Sequence, residues 1–80
     1  METFIGNERY LTYIFKTSTS LSYCKYDTLH SLLLVIFHNG TGYEYSGVDL
    51  QTYQELISAP SAGIYFGKVI RGKYKTERVI

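Results

Sequence analysis

Apolar and polar positions recur in short, strand-like runs through the first half of the chain, and the period then becomes helical. Arg9 to Lys16 is rich in Tyr, Leu, Ile and Phe and bounded by charge, which predicts a strand. The hydroxyl cluster Thr17 to Ser20 predicts a turn or bend. A second strand is expected over Ser20–Tyr26, then a turn opened by Asp27. The clearest strand is Ser31–His38: Leu32 to Phe37 are all apolar, so both of its faces are expected to be covered. Asn39-Gly40 is a hairpin signal, because both residues tolerate positive φ. Thr41–Ser46 then pairs back, with Tyr43 and Tyr45 on one face and Glu44 on the other.

Beyond Gly47 the apolar spacing lengthens. Asp49 suits an N-cap, and Leu50, Tyr53, Leu56 and Ile57 form a helical stripe. Pro60 disfavours helical geometry in the residue before it, so that helix ends near Ala59. Ser61 can cap a second helix, in which Phe66, Ile70 and Tyr74 face the core while Lys68, Arg71 and Lys75 share another side. Gly72 marks where it ends, and the chain leaves through Tyr74 to Ile80. Residues 1–8 carry little pattern and read as an arm or strand lead-in. The order predicts one α+β domain over residues 1–80, a small antiparallel β-meander of three to four strands followed by two short α-helices.

Size changes the picture. A chain of 80 residues buries only roughly 60% of its unfolded surface. Such domains tend to need a disulfide, a metal or a partner subunit. Cys24 is the only cysteine, and Cys24, His30 and His38 match no zinc-finger spacing, so neither a disulfide nor a metal is expected. Self-association, as a homodimer or larger homo-oligomer, is the remaining remedy. The apolar run Leu32–Phe37 is far too short to cross a bilayer, and Met1-Glu2-Thr3 has no signal-peptide character. A cytoplasmic location without a membrane partner is expected, which a lone reduced thiol fits.

Charge is uneven. Residues 1–60 hold Arg9, Lys16 and Lys25 against six acidic side chains, a net of −3; residues 61–80 hold Lys68, Arg71, Lys73, Lys75 and Arg78 against Glu77, a net of +4. Nine tyrosines accompany four phenylalanines and no tryptophan, a composition suited to wet interfaces and stacking.

An ordered series of motifs from Thr17 to Val79 resembles the KTSC domain. The family is named after a C-terminal extension on some lysyl-tRNA synthetases and also occurs as free-standing small proteins. The pieces are Thr17-Ser18-Thr19-Ser20-Leu21, Tyr26-Asp27, the apolar strand, Tyr43-Glu44-Tyr45, Gly47-Val48, the helix around Tyr53, Ala59-Pro60-Ser61-Ala62-Gly63, Tyr65-Phe66, and Ile70-Arg71-Gly72-Lys73-Tyr74. Asp49 stands where the family pattern has proline, and Gly67 where it has a polar residue, typically asparagine. The resemblance implies the small α+β fold, with RNA binding as a suggested role.

No nucleophile–base set, paired carboxylates, phosphate loop or metal motif is present, so an enzyme, and with it a cofactor, is not expected. His30 and His38 read as structural, and Cys24, within a strand pattern, as a packed thiol. The coherent set is an anion site. Ser61 and Gly63 open a helix whose free N–H groups attract phosphate, Tyr65, Lys68 and Arg71 follow, and Tyr45 offers a stacking ring. Its alternative is an ordinary serine cap followed by a solvated basic face. Tyrosines and a basic end together fit a nucleotide. The small net charge of +1 suits a ligand with two or three phosphates better than a polymer. The expected function is therefore sequestration of a small phosphate-bearing nucleotide, possible cyclic forms included, as the sponge proteins of phages do with cyclic-nucleotide signals. An RNA-binding module is the alternative, and a protein–protein interaction module the second. The site is expected between subunits, because one small domain leaves little room for a pocket of about 300 Å³ or more.

Overall fold

A computed structural model describes residues 9–80, so the arm read at residues 1–8 lies outside the described residues. Strands β1 (Tyr10–Ile14), β2 (Leu21–Asp27), β3 (Leu32–Phe37) and β4 (Gly42–Ser46) lead into helices α1 (Leu50–Ser58) and α2 (Ala62–Tyr65). A π-helical turn, Phe66–Ile70, continues α2, and strand β5 (Lys75–Arg78) closes the chain. The sheet is an antiparallel meander in the order β1-β2-β3-β4-β5, with β3 at its centre. It has five strands where three to four were expected. The extra strand follows the helices and is exposed along its whole length. A run without an apolar alternation is set by pairing with β4, and local pattern does not reveal it.

Strand alternation sorts the side chains. Cys24, Tyr26, Leu33, Val35 and Tyr45 are buried on the inner face, against the helices. Tyr23, Lys25, Leu34 and Glu44 lie on the outer face, where no second layer packs among the described residues. The expectation that β3 is covered on both faces holds in part: inside, Leu33 and Val35 are fully buried, and outside, Ile36 is buried but Leu32 and Leu34 are only half-buried.

The β3–β4 connection differs in detail from a two-residue turn. Gly40 N–H donates to Phe37 O and Phe37 N–H to Thr41 O, both at 2.9 Å, the pattern of a three-residue loop with a glycine bulge. Only Gly40 takes positive φ (90°), because Asn39 instead uses its Oδ1 to accept from Thr41 N–H and Oγ1–H.

Asp49 caps α1, its carboxylate accepting from Thr52 N–H at 2.9 Å, and the helix stops at Ser58 ahead of Pro60. Tyr53 and Leu56 are buried, but Leu50 is 44% exposed: it stands in the first turn, beyond the edge of the core. Ser61 Oγ accepts from Ile64 N–H at 3.3 Å. Phe66 and Ile70 then reach the core through a wide turn closed by Arg71 N–H donating to Phe66 O at 2.8 Å. Gly72, at φ 75°, ends the helical segment, and Tyr74 packs partly buried against the core from beyond it. Lys68, Arg71 and Lys75 therefore do not share a helical side, because Lys75 is already in β5.

Tyr26 joins the layers. Its hydroxyl donates to Val48 O at 2.6 Å inside the core, and its ring stacks on Tyr53 of α1 at 4.9 Å. Replacing Tyr26 with Phe keeps the ring and orphans a buried carbonyl, an expected loss of about 1–3 kcal/mol in urea unfolding. A loss below the error of the measurement would show that Val48 O needs no partner.

Candidate functional site

A cavity of about 670 Å³ opens on the inner face toward β4 and β5. Its floor is Phe37, Tyr43 and Tyr45, and its rim carries Thr19, Ser20, His38, Asn39, Thr41, Arg71, Gly72 and Thr76. Three features of local folding make it. The Thr17–Ser20 bend is held by Ser18 Oγ, which accepts from Leu21 N–H at 3.0 Å, and by His38 N–H, which donates to Ser20 O at 2.9 Å. The β3–β4 hairpin supplies the far wall. The π turn and Gly72 then carry Arg71 past Phe66, its guanidinium carbon 5.7 Å from that ring's centroid.

Among the described residues no ion pair or side-chain hydrogen bond engages the Arg71 guanidinium, which leaves a permanent cation at the mouth of an uncharged cavity. His38 Nε2 lies 3.0 Å from Ser18 O, which fixes that nitrogen as a donor. Burial raises the Tyr45 hydroxyl above its ordinary value, against the opposing pull of Arg71.

Of the six residues expected to form the anion site, only Tyr45 and Arg71 line this cavity. Tyr45 is 4% exposed and meets Phe66 edge-on at 5.5 Å, so its ring offers no open face to stack on; Tyr43, half-buried beside it, is the ring that does. Ser61 and Gly63 border a separate space of about 220 Å³. The Ser61 hydroxyl is taken by its own helix cap, and a Cβ on Gly63 would sit 3.3 Å from Ser20 Oγ. That glycine admits a neighbouring loop, which is a packing reason for its presence. Tyr65 faces elsewhere, donating to Glu55 Oε1 at 2.7 Å; burial first, and then this carboxylate, push its hydroxyl up to about 12. Lys68 lines none of these spaces. The sequence reading missed Thr19, Ser20, Thr41 and Thr76, which only the fold brings together; the hydroxyl cluster at 17–20 was the available signal. One chain holds the cavity, so want of room no longer places a site between subunits.

Two further groups bear on chemistry. Burial pushes the Cys24 thiol up to about 12, which makes it a packed side chain at neutral pH. His30 Nδ1 lies 3.0 Å from Asp27 Oδ2, a pairing the sequence did not announce. The same carboxylate takes Arg9 at 3.1 Å and the N–H groups of Leu29 and His30, so it clamps the β2–β3 turn. Among the described residues no three His, Cys, Asp or Glu side chains gather as a metal site, and no helix is long and apolar enough to cross a membrane.

Fold and cavity together define a small α+β domain with a recessed, singly cationic pocket. The KTSC domain profile matches residues 17–74, and the chain belongs to the KTSC family. It is 42% identical over 55 residues to a lysine–tRNA ligase of Trichormus variabilis and 40% identical over 55 residues to one of Nostoc sp.. Those stretches cover 69% of this chain but only 10% of either ligase. The crystal structure of a KTSC domain protein from Yersinia pestis superposes with a TM-score of 0.80 at 28% identity, covering 89% of this chain and 99% of that one.

Arg9, chiefly, with further hydrogen bonds from the turn, holds the Asp27 carboxyl well below the usual carboxylate range. A depressed folded value adds stability that is complete above the unfolded value of about 3.9 and disappears as pH falls toward the folded one. The melting temperature should therefore drop below about pH 4, and Asp27→Asn should flatten that slope. Equal acid slopes in both proteins would assign the effect to other carboxylates.

Proposed function

We propose that this KTSC domain is a non-enzymatic binding protein that takes a small phosphate-bearing nucleotide into the inner-face cavity and releases it unchanged. The observation that carries the reading is the Arg71 guanidinium, without an ion-pair or hydrogen-bond partner among the described residues, at the mouth of a 670 Å³ space. A planar guanidinium matches two oxygens of a phosphate at once. The hydroxyls of Thr19, Ser20, Thr41 and Thr76 can donate to phosphate or accept from ribose and base. Tyr43 supplies an aromatic surface for a base, worth roughly 1–3 kcal/mol by analogy with single-strand binding. The volume falls in the range of pockets for small ligands.

The lysine–tRNA ligase relatives lend support to RNA binding as a second reading. The placement of the basic residues favours the small ligand. Register sets Lys75 on the outer face and Arg78 on the inner, and Lys68 stands apart on the π turn, so no single track for a phosphate backbone results.

A thermal-shift screen over mononucleotides, cyclic dinucleotides and oligonucleotides tests the reading. A true ligand at about 100 times its dissociation constant stabilises by roughly 2.7 kcal/mol. Arg71→Ala should abolish that shift while changing the free protein's stability by no more than about 1 kcal/mol. Lys68→Ala should leave the shift intact. Denaturing the complex should return intact nucleotide; a cleaved product would make the protein an enzyme. Binding only by oligonucleotides, with a steep salt dependence, would move RNA ahead. No shift with any of them would favour a protein partner.

A further inference from the structure

We propose that the outer face of the sheet, on which no second layer packs among the described residues, is the interface of a homodimer whose two-fold axis runs parallel to β3. The nucleotide reading is independent of this, because the cavity opens on the opposite face.

One row of that face is apolar. Register sets Ile14 beside Tyr23 and Tyr23 beside Ile36. Gly42 follows, and the Cβ it lacks would lie 2.6 Å from Ile36 Cδ1 and 3.1 Å from Ile80 Cδ1. The missing side chain lets Ile36 and Ile80 close over the strand. Ile14 and Ile80 are 61% and 58% exposed in the single chain, a band of surface that water would otherwise meet.

The next row carries charge in an order that complements itself. Lys25 of β2, Leu34 of β3 and Glu44 of β4 stand side by side, and Glu77 of β5 is directly opposite Glu44. Like charges so paired repel, and among the described residues neither glutamate has a cation of its own. Among the described residues Lys25 Nζ has only the Tyr10 ring, 4.8 Å away.

Sheets pack face to face about 10 Å apart with strands nearly aligned. A two-fold axis along β3 lays β2 of one subunit on β4 of the other. Lys25 then meets Glu44 of the partner subunit, Leu34 meets its own copy, and Ile14 meets the partner's Ile80. An axis across the strands does worse. Centred on Leu34 it sets lysine on lysine, and shifted toward the Asp27 row it leaves the isoleucines uncovered and calls on Asp27, which Arg9 and His30 already hold.

Sedimentation of the full chain at about 50 μM tests the arrangement, with circular dichroism to show that each variant stays folded. The wild type should sediment as a dimer. Lys25→Glu and Glu44→Lys should each raise the dimer dissociation constant about tenfold or more. The double exchange should restore it, since each new pair is again opposite in sign. A monomeric wild type would overturn the proposal. So would single reversals that leave the dimer unchanged, or a double exchange as weak as the singles, which would place these side chains outside the interface or on a different axis.

Discussion

The buried hydroxyl of Tyr26 governs the layering of this domain. It sits on the inner face of β2, and its partner, Val48 O, is the last turn residue before α1 is capped by Asp49. A polar atom in a closed core must find a partner, so this bond fixes where the first helix starts over the sheet. The stack of Tyr26 on Tyr53 then fixes how the helix lies. The turn itself is pinned from the other side, where Ser31, in the left-handed region at φ 55°, accepts through its carbonyl from Gly47 and Val48 N–H. Once α1 is placed, Pro60 and Ser61 leave the second helical segment little choice of course.

That course determines the cavity. The helices seal the inner face over Cys24, Tyr26, Leu33 and Val35, but the segment runs out at Gly72, leaving Phe37, Tyr43 and the edge of Tyr45 under open space. A regular α-helix would have turned Arg71 with the rest of its face. The wider π turn, bonded from Arg71 N–H back to Phe66 O, leaves the residue extended at the cavity mouth, over the ring that anchors the turn. The backbone irregularity and the one cation that lines the cavity among the described residues thus belong to a single feature.

Much of this was legible in the sequence. The four meander strands follow from alternation and from the Asn39-Gly40 signal. Both helix starts follow from Asp49 and Ser61, and the sidedness of Tyr43, Glu44 and Tyr45 from the pleat. What was not legible was set by distant partners. β5 is the charged run Lys75 to Arg78 and exists because β4 offers it an edge. The π turn has no local signature. The residues expected to form the site do not gather around one space, because nearness in sequence is not nearness in space. Ser61, Gly63, Tyr65, Lys68 and Arg71 splay around a turning segment, and each of the first three has packing or bonding work of its own. The hydroxyls that accompany Arg71 come from three separate parts of the chain.

A nitrogen-15 correlation NMR titration of the whole chain with ADP tests the account of the cavity most directly, since every backbone amide except that of Pro60 reports separately. The account predicts saturable shifts that cluster at Thr19, Thr41, Tyr43, Arg71 and Thr76, with the Arg71 side-chain Nε–H among the most affected. Shifts centred on Ser61, Gly63 and Lys68, or on the outer face of the sheet, with the Arg71 cavity silent, would contradict it.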